Sequence, residues 1–208
     1  MSHALAHGTP DACFPNNWFS THSASEAGGS TGASTLVLYP MKCPNRAAER
    51  RADVAALLHA GDFGRVVDLT PLEKEGTYFE GTGVLVLDRP RGTAYVAISD
   101  RAARSAAERW VDELGYHKLV TFSSVGSDLK PVYHTNVMMA VGTGVAIVCG
   151  ESVRDGKERQ RLFVRASTPL LPCARGLRVC PQFVCVTCWL CLGFKHNCDN
   201  GGGRGCRD

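Results

Sequence analysis

The sequence predicts an α/β fold made of repeated strand, strand, helix units. Three segments carry that reading: Pro15-Asn16-Asn17-Trp18-Phe19-Ser20-Thr21-His22, Phe79-Glu80-Gly81-Thr82-Gly83 and Tyr133-His134-Thr135-Asn136-Val137-Met138-Met139. Each leads into an apolar run, a turn, a second apolar run and then a stretch with helical spacing. A histidine, a carboxylate and paired amides thus recur at one point of the repeating unit, which is the pattern of a site.

In the first unit, a strand is expected near Trp18 and another over 35–39. A helix over 45–60 should place Val54, Leu57 and Leu58 on its buried side. Arg46, Arg50 and Arg51 with Glu49 read as its solvated face.

The middle unit has strands over 84–88 and 94–98, split by Arg89-Pro90-Arg91-Gly92. An Asp100 cap opens its helix, and Ala103, Ala107, Trp110, Val111 and Leu114 fall on one face. Gly115 is a natural stop. In the third unit the strands are 137–141 and 145–149, joined by Gly142-Thr143-Gly144, and a charged helix starts from Asp155. Packing of such units about a pseudo-symmetry axis would make the pre-strand loops converge. Asn16, Asn17, Glu80 and His134 would then meet.

The chain divides by composition into an extension over 1–10, a body over 11–163 and a tail over 164–208. With 208 residues and 44% hydrophobic content, one sizeable core is possible. Residues 1–163 hold 17 basic and 18 acidic side chains, whereas 164–208 hold 6 and 2. The net charge of +3 therefore belongs to the tail, and the charge balance of the body gives no ground for expecting a nucleic-acid surface there. Met1 to Pro10 lacks the basic start and apolar core of a signal peptide, and no run is long enough to span a bilayer. A cytoplasmic setting follows as the expectation.

Together with Leu38-Tyr39-Pro40-Met41, Asn45-Arg46, Glu49-Arg50-Arg51 and Leu87-Asp88-Arg89, the three pre-strand segments give ordered blocks of similarity over about 11–162. Over these blocks the chain resembles the arginine deiminase-related, amidinotransferase-like branch of the guanidino-group-modifying superfamily. The resemblance implies a pentein-type α/β propeller, here incomplete, with about three of the family's five blades. It implies a cysteine nucleophile acting on an arginine-like or citrulline-like small molecule, with no metal or organic cofactor. Glu80 matches the carboxylate that would grip a guanidinium, and His134 the acid and base. Asn16 and Asn17 match the polar segment lining the pocket, and His22 is a further pocket candidate. Hydrolase and amidinotransferase share this machinery, and the resemblance does not separate them.

The nucleophile departs from the pattern. Cys206 follows the triplet Gly201-Gly202-Gly203, one residue earlier than in the family and with no apolar strand after it. The chain therefore reads as a fragment that is inactive as written. Cys149 closes an apolar strand and reads as a structural thiol. Seven of the ten cysteines lie in the tail, with Cys185, Cys188 and Cys191 closely spaced and Cys180, His196 and Cys198 nearby. The competing class is thus a non-catalytic interaction or metal-binding protein with a cysteine-rich tail.

Overall fold

Each pair of apolar runs pairs antiparallel, and in the first two units a third strand then returns parallel to the second. The computed structural model describes residues 6–26, 32–143 and 145–166. In unit one, β1 (Phe19–His22) runs antiparallel to β2 (Thr35–Leu38), with Phe19 opposite Leu38. β3 (Arg65–Asp68) joins the far side of β2 in parallel, with Val67 beside Val37. Unit two repeats this arrangement with β4 (Val86–Asp88), β5 (Thr93–Ile98) and β6 (Lys118–Ser123). Unit three has the antiparallel pair β7 (Met139–Gly142) and β8 (Val145–Val148). The working unit is strand, strand, helix, strand, because a helix crossover delivers the chain to a parallel position.

The expected helix over 45–60 is two helices, α1 (Pro44–Ala47) and α2 (Ala52–Ala60). Between them Arg50 turns inward to the carbonyl of Tyr39 and to Glu73, which is incompatible with a continuous outer face. The face built on Val54, Leu57 and Leu58 does not enter the core, since α2 buries no residue and Leu57 is 74% exposed.

A single helical turn, α3 (Gly81–Val84), shortens the expected strand over 84–88 at its front. A 3-10 turn over Thr135–Val137 does the same before β7. Helix α4 (Arg104–Leu114) follows its 3.6-residue pattern, burying Ala106, Ala107, Trp110 and Leu114, and ends on Gly115 at φ +67. Its N-cap position is Ala103; Asp100 instead pairs with the ammonium of Lys42. At α5 (Gly156–Ala166), Asp155 accepts from the backbone N–H of Glu158 at 2.7 Å, as a cap should.

Both faces of β5 are buried. Ala94 and Val96 face a core with Val37, Tyr39, Phe79 and Trp110, while Tyr95 and Ala97 face Phe122, Met139, Val148 and Leu162. Sheet two is therefore clamped between its neighbours. Among the described residues the strands form three separate sheets, of three, three and two strands, and do not close into a ring. No helix of the described residues is long and apolar enough to cross a membrane.

Candidate active site

Glu80 stands at the N-cap position of α3, where its carbonyl accepts the first bonds of the turn from Gly83 and Val84. Its backbone N–H donates to the carbonyl of Arg101 at 3.1 Å. The side chain is 1% exposed and both carboxylate oxygens are engaged. Oε1 accepts from the backbone N–H of Lys42 at 3.0 Å, and Oε2 lies 2.7 Å from Nε2 of His134. The guanidinium of Arg101 reaches the same oxygen at 3.5 Å. This differs from the expected grip on a substrate guanidinium, because no free oxygen pair remains for it.

His134 precedes the 3-10 turn, and Thr135 anchors it there. The Thr135 hydroxyl donates to the carbonyl of Val84 at 2.6 Å and accepts from Ala97 N–H at 2.8 Å. The imidazole lies over Gly83, where even a single methyl would collide with it. Tyr133 packs against the imidazole with ring centroids 4.6 Å apart and carries the guanidinium of Arg101 at 5.2 Å from its own centroid. A carboxylate only accepts, so in the ionised pair Nε2 of His134 donates and Nδ1 of the neutral ring keeps its lone pair.

Burial alone would raise the pKa of Glu80. The His134 hydrogen bond, the Arg101 charge and the Lys42 N–H outweigh burial and hold it below the ordinary carboxylate range. Glu80 is therefore an ion at neutral pH, able to orient His134.

Asn17 joins this group from unit one. It sits at φ +66, its backbone N–H donates to the Thr82 hydroxyl at 3.2 Å, and its Oδ1 accepts from that hydroxyl at 3.1 Å. A Cβ on Gly81 would stand 2.5 Å from the Asn17 carbonyl, and Gly81 itself has φ +37, so glycine is required in this contact. Asn136 of unit three donates to the Thr82 carbonyl at 3.5 Å. The loops of all three units do meet, around α3.

Asn16 is exposed and its Oδ1 accepts from Arg46 at 3.0 Å. Arg46 is buried, with Glu49 at 3.3 Å and Asp11 at 3.7 Å. The reading of Arg46, Glu49 and Arg50 as a solvated face is overturned; of that run only Arg51, paired with Asp53, lies on the surface. His22 is buried in a separate set of bonds, to Ser20 and Glu26. Cys149 is buried and accepts from the Ser152 hydroxyl at 3.3 Å. Cys206 and the cysteine-rich tail lie outside the described residues. Among the described residues no cluster of histidine, cysteine or acid could hold a metal ion.

Lys42, Thr82 and Arg101 are the site residues that the sequence reading missed. Thr82 lay within a recognised motif, but Lys42 acts through its backbone and Arg101 sits beyond β5, where no motif points to it.

The family model for eukaryotic N,N-dimethylarginine dimethylhydrolases matches residues 1–168. The chain belongs to that family. It lies in the guanidino-modifying superfamily expected from the loop motifs. A comparison with curated proteins gives no match. Among solved structures, the N-terminal domain of ArgZ, covalently bound to a reaction intermediate, superposes with TM-score 0.58 at 16% identity, over 76% of this chain and 51% of that one. The substrate-bound form of the same domain, an arginine dihydrolase from the ornithine-ammonia cycle in cyanobacteria, gives 0.56 over the same shares at 16% identity. Unliganded AgrE gives 0.57 at 16% identity, over 76% of this chain and 20% of that one. Such likenesses describe the fold, and this dimethylhydrolase-family chain spans about half the length of the ArgZ domain.

Proposed function

We propose that this chain carries the acid-base half of a guanidino-hydrolysing active site, with Glu80 and His134 as its working pair. The single observation that supports this most is the buried 2.7 Å bond between them, held on one side by Lys42 N–H and on the other by Gly83. In this reading the ring-shaped pentein architecture is the parent fold, and the three units take three of its five blades.

The reaction is hydrolysis of a terminal guanidino C–N bond in an arginine-like substrate, with N,N-dimethylarginine the family's example and a citrulline-like ureido compound the product. A thiolate adds to the central guanidino carbon, the C–N bond to the leaving amine breaks, and His134 gives that amine a proton. The neutral imidazole then takes a proton from water, whose oxygen adds to the same carbon and expels the thiolate. Glu80 positions the ring and stabilises its cation rather than touching substrate. Asn17, with Asn16 beside it, is assigned to the polar end of the substrate, and Cys206 is the candidate thiol. A cytosolic setting, where thiols stay reduced, suits such a nucleophile.

The test is titration of the folded chain with N,N-dimethylarginine and L-arginine while following the His134 ring resonance, alongside mass spectrometry for the ureido product. Saturable movement of that resonance, lost in Asn17→Ala, supports the reading. A ring that ignores both ligands in a chain that also forms no product removes it.

A further inference from the structure

Away from the Glu80–His134 pair, an unbroken row of hydrogen bonds crosses the start of unit one. The indole N–H of Trp110 donates to the Tyr39 hydroxyl at 2.9 Å, and that hydroxyl lies 2.6 Å from Ser20 Oγ. Ser20 Oγ lies 2.7 Å from His22 Nε2, and His22 Nδ1 lies 2.9 Å from Glu26 Oε2.

The two ends set the direction of every bond. An indole only donates and an ionised carboxylate only accepts. The arrangement that satisfies every proton has Tyr39 receiving from Trp110 and giving its own hydrogen to Ser20. Ser20 then points its O–H at a lone pair on His22 Nε2, and His22 carries its proton on Nδ1, facing Glu26. That is the tautomer a general base for a serine needs.

Local structure explains why the partners stay in place. Ser20 and His22 are two residues apart on β1 and so project from the same face of the strand. The Glu26 carboxylate is fixed by Arg89 and by the Tyr116 hydroxyl at 3.3 Å. The Trp110 ring meets the imidazole edge to face, with ring centroids 5.6 Å apart. Burial lowers the His22 pKa in spite of Glu26, so the ring is neutral and basic-ready at neutral pH, while Glu26 is held ionised below its ordinary range.

Access is open as well. Ser20 is half-buried and, with His22, lines a cavity of about 210 Å³. Leu85 and Leu87 supply an apolar wall, and Thr82 and Arg89 place a hydroxyl and a guanidinium on the same space.

We propose that Ser20, His22 and Glu26 form a second site, a serine nucleophile with its base and positioning carboxylate, that accepts short-chain carboxylic esters. Ser20 Oγ bonds to the ester carbonyl carbon as its proton passes to His22 Nε2. The bond to the alcohol oxygen breaks, and the leaving oxygen takes that proton. Water then adds to the acyl carbon, losing a proton to His22, and releases the acid while Ser20 recovers its hydrogen. The Arg89 guanidinium supplies the charge for the developing oxyanion. This chemistry shares no group with the Glu80–His134 pair except the Thr82 scaffold.

The experiment is covalent labelling of the full 208-residue chain with a biotinylated fluorophosphonate, followed by peptide mapping. Ser20 Oγ should displace fluoride and bond to phosphorus, giving a single adduct on Ser20 of the unaltered protein. Heat-denatured protein should not react. Labelling should vanish in Ser20→Ala and slow by about 100-fold or more in His22→Gln, the scale of lost general-base catalysis. No adduct on Ser20, under conditions that label a serine esterase fully, overturns the proposal. So does an adduct that forms equally fast in denatured protein. Both of these results come from the unaltered chain and do not depend on how the variants fold.

Discussion

Gly83 lies against the imidazole of His134 so closely that a Cβ built on it would stand 2.6 Å from Nδ1 and 2.7 Å from Cε1. One hydrogen in place of a side chain is what lets the ring reach Glu80. Gly83→Ala must push the ring away, and overpacking of this kind costs about 1–3 kcal/mol. Chemical denaturation should show that loss, and the His134 ring resonances should move with it.

Replacing Glu80 by Gln keeps the shape and removes the charge shared by His134, Arg101 and the Lys42 N–H. One amide cannot accept at both positions, so a loss of about 1–3 kcal/mol is expected. The pH dependence has a definite sign. A carboxyl held below its ordinary value of 4.5 stabilises the fold above that pH, and the stabilisation disappears as pH falls through the folded-state value. Stability measured from neutral pH downward should fall on this acid limb in the natural protein and fall less steeply in Glu80→Gln.

Arg46 and Glu49 form a buried ion pair at 3.3 Å. Arg46→Ala leaves a buried carboxylate without its cation and should cost about 3–5 kcal/mol. Arg46→Met combined with Glu49→Leu should regain most of that in thermal unfolding, since an apolar pair of similar size has no charge to desolvate.

His22 predicts a second pH effect of its own. Burial, opposed by Glu26 and reinforced by the Arg89 charge, sets its folded-state pKa below 6.5. With the Tyr116 hydroxyl also on Glu26, the unfolded chain binds the His22 proton more readily than the native one. Stability should therefore be complete above pH 6.5 and decline below it, with the decline weakened in His22→Gln.

Leu57→Lys should change stability by no more than about 0.5 kcal/mol, the usual range for surface substitutions. A large loss on denaturation would show that the exposed side of α2 meets something more than solvent.

The contrast between α2 and α4 shows what was legible in the residues alone. Trp110, Leu114 and their neighbours recur at helical spacing against a wide core, and Gly115 ends the helix as its type requires. In α2 the same spacing decided nothing, because the interior of unit one is already filled by β2 and α4. The parallel strands β3 and β6 went unread for a related reason. Arg65–Asp68 is short and leaves Val66 and Asp68 exposed, and Lys118–Ser123 mixes polar and apolar residues without a clean alternation. The convergence of Asn17, Glu80 and His134 was legible from their common place in the repeat. The burial of Arg46 was not, since it depends on Asp11 and Asn16, far away in the chain.

The Glu80 carboxylate receives Lys42 from unit one, Arg101 from its own unit and His134 from unit three. A charge compensated from three directions is tolerable in the interior only when all three are present. Displacing any one unit would remove one of these partners and leave the buried ion only partly compensated, so the three units are tied together energetically. The buried ion thereby acts as a check on how the units around it are assembled.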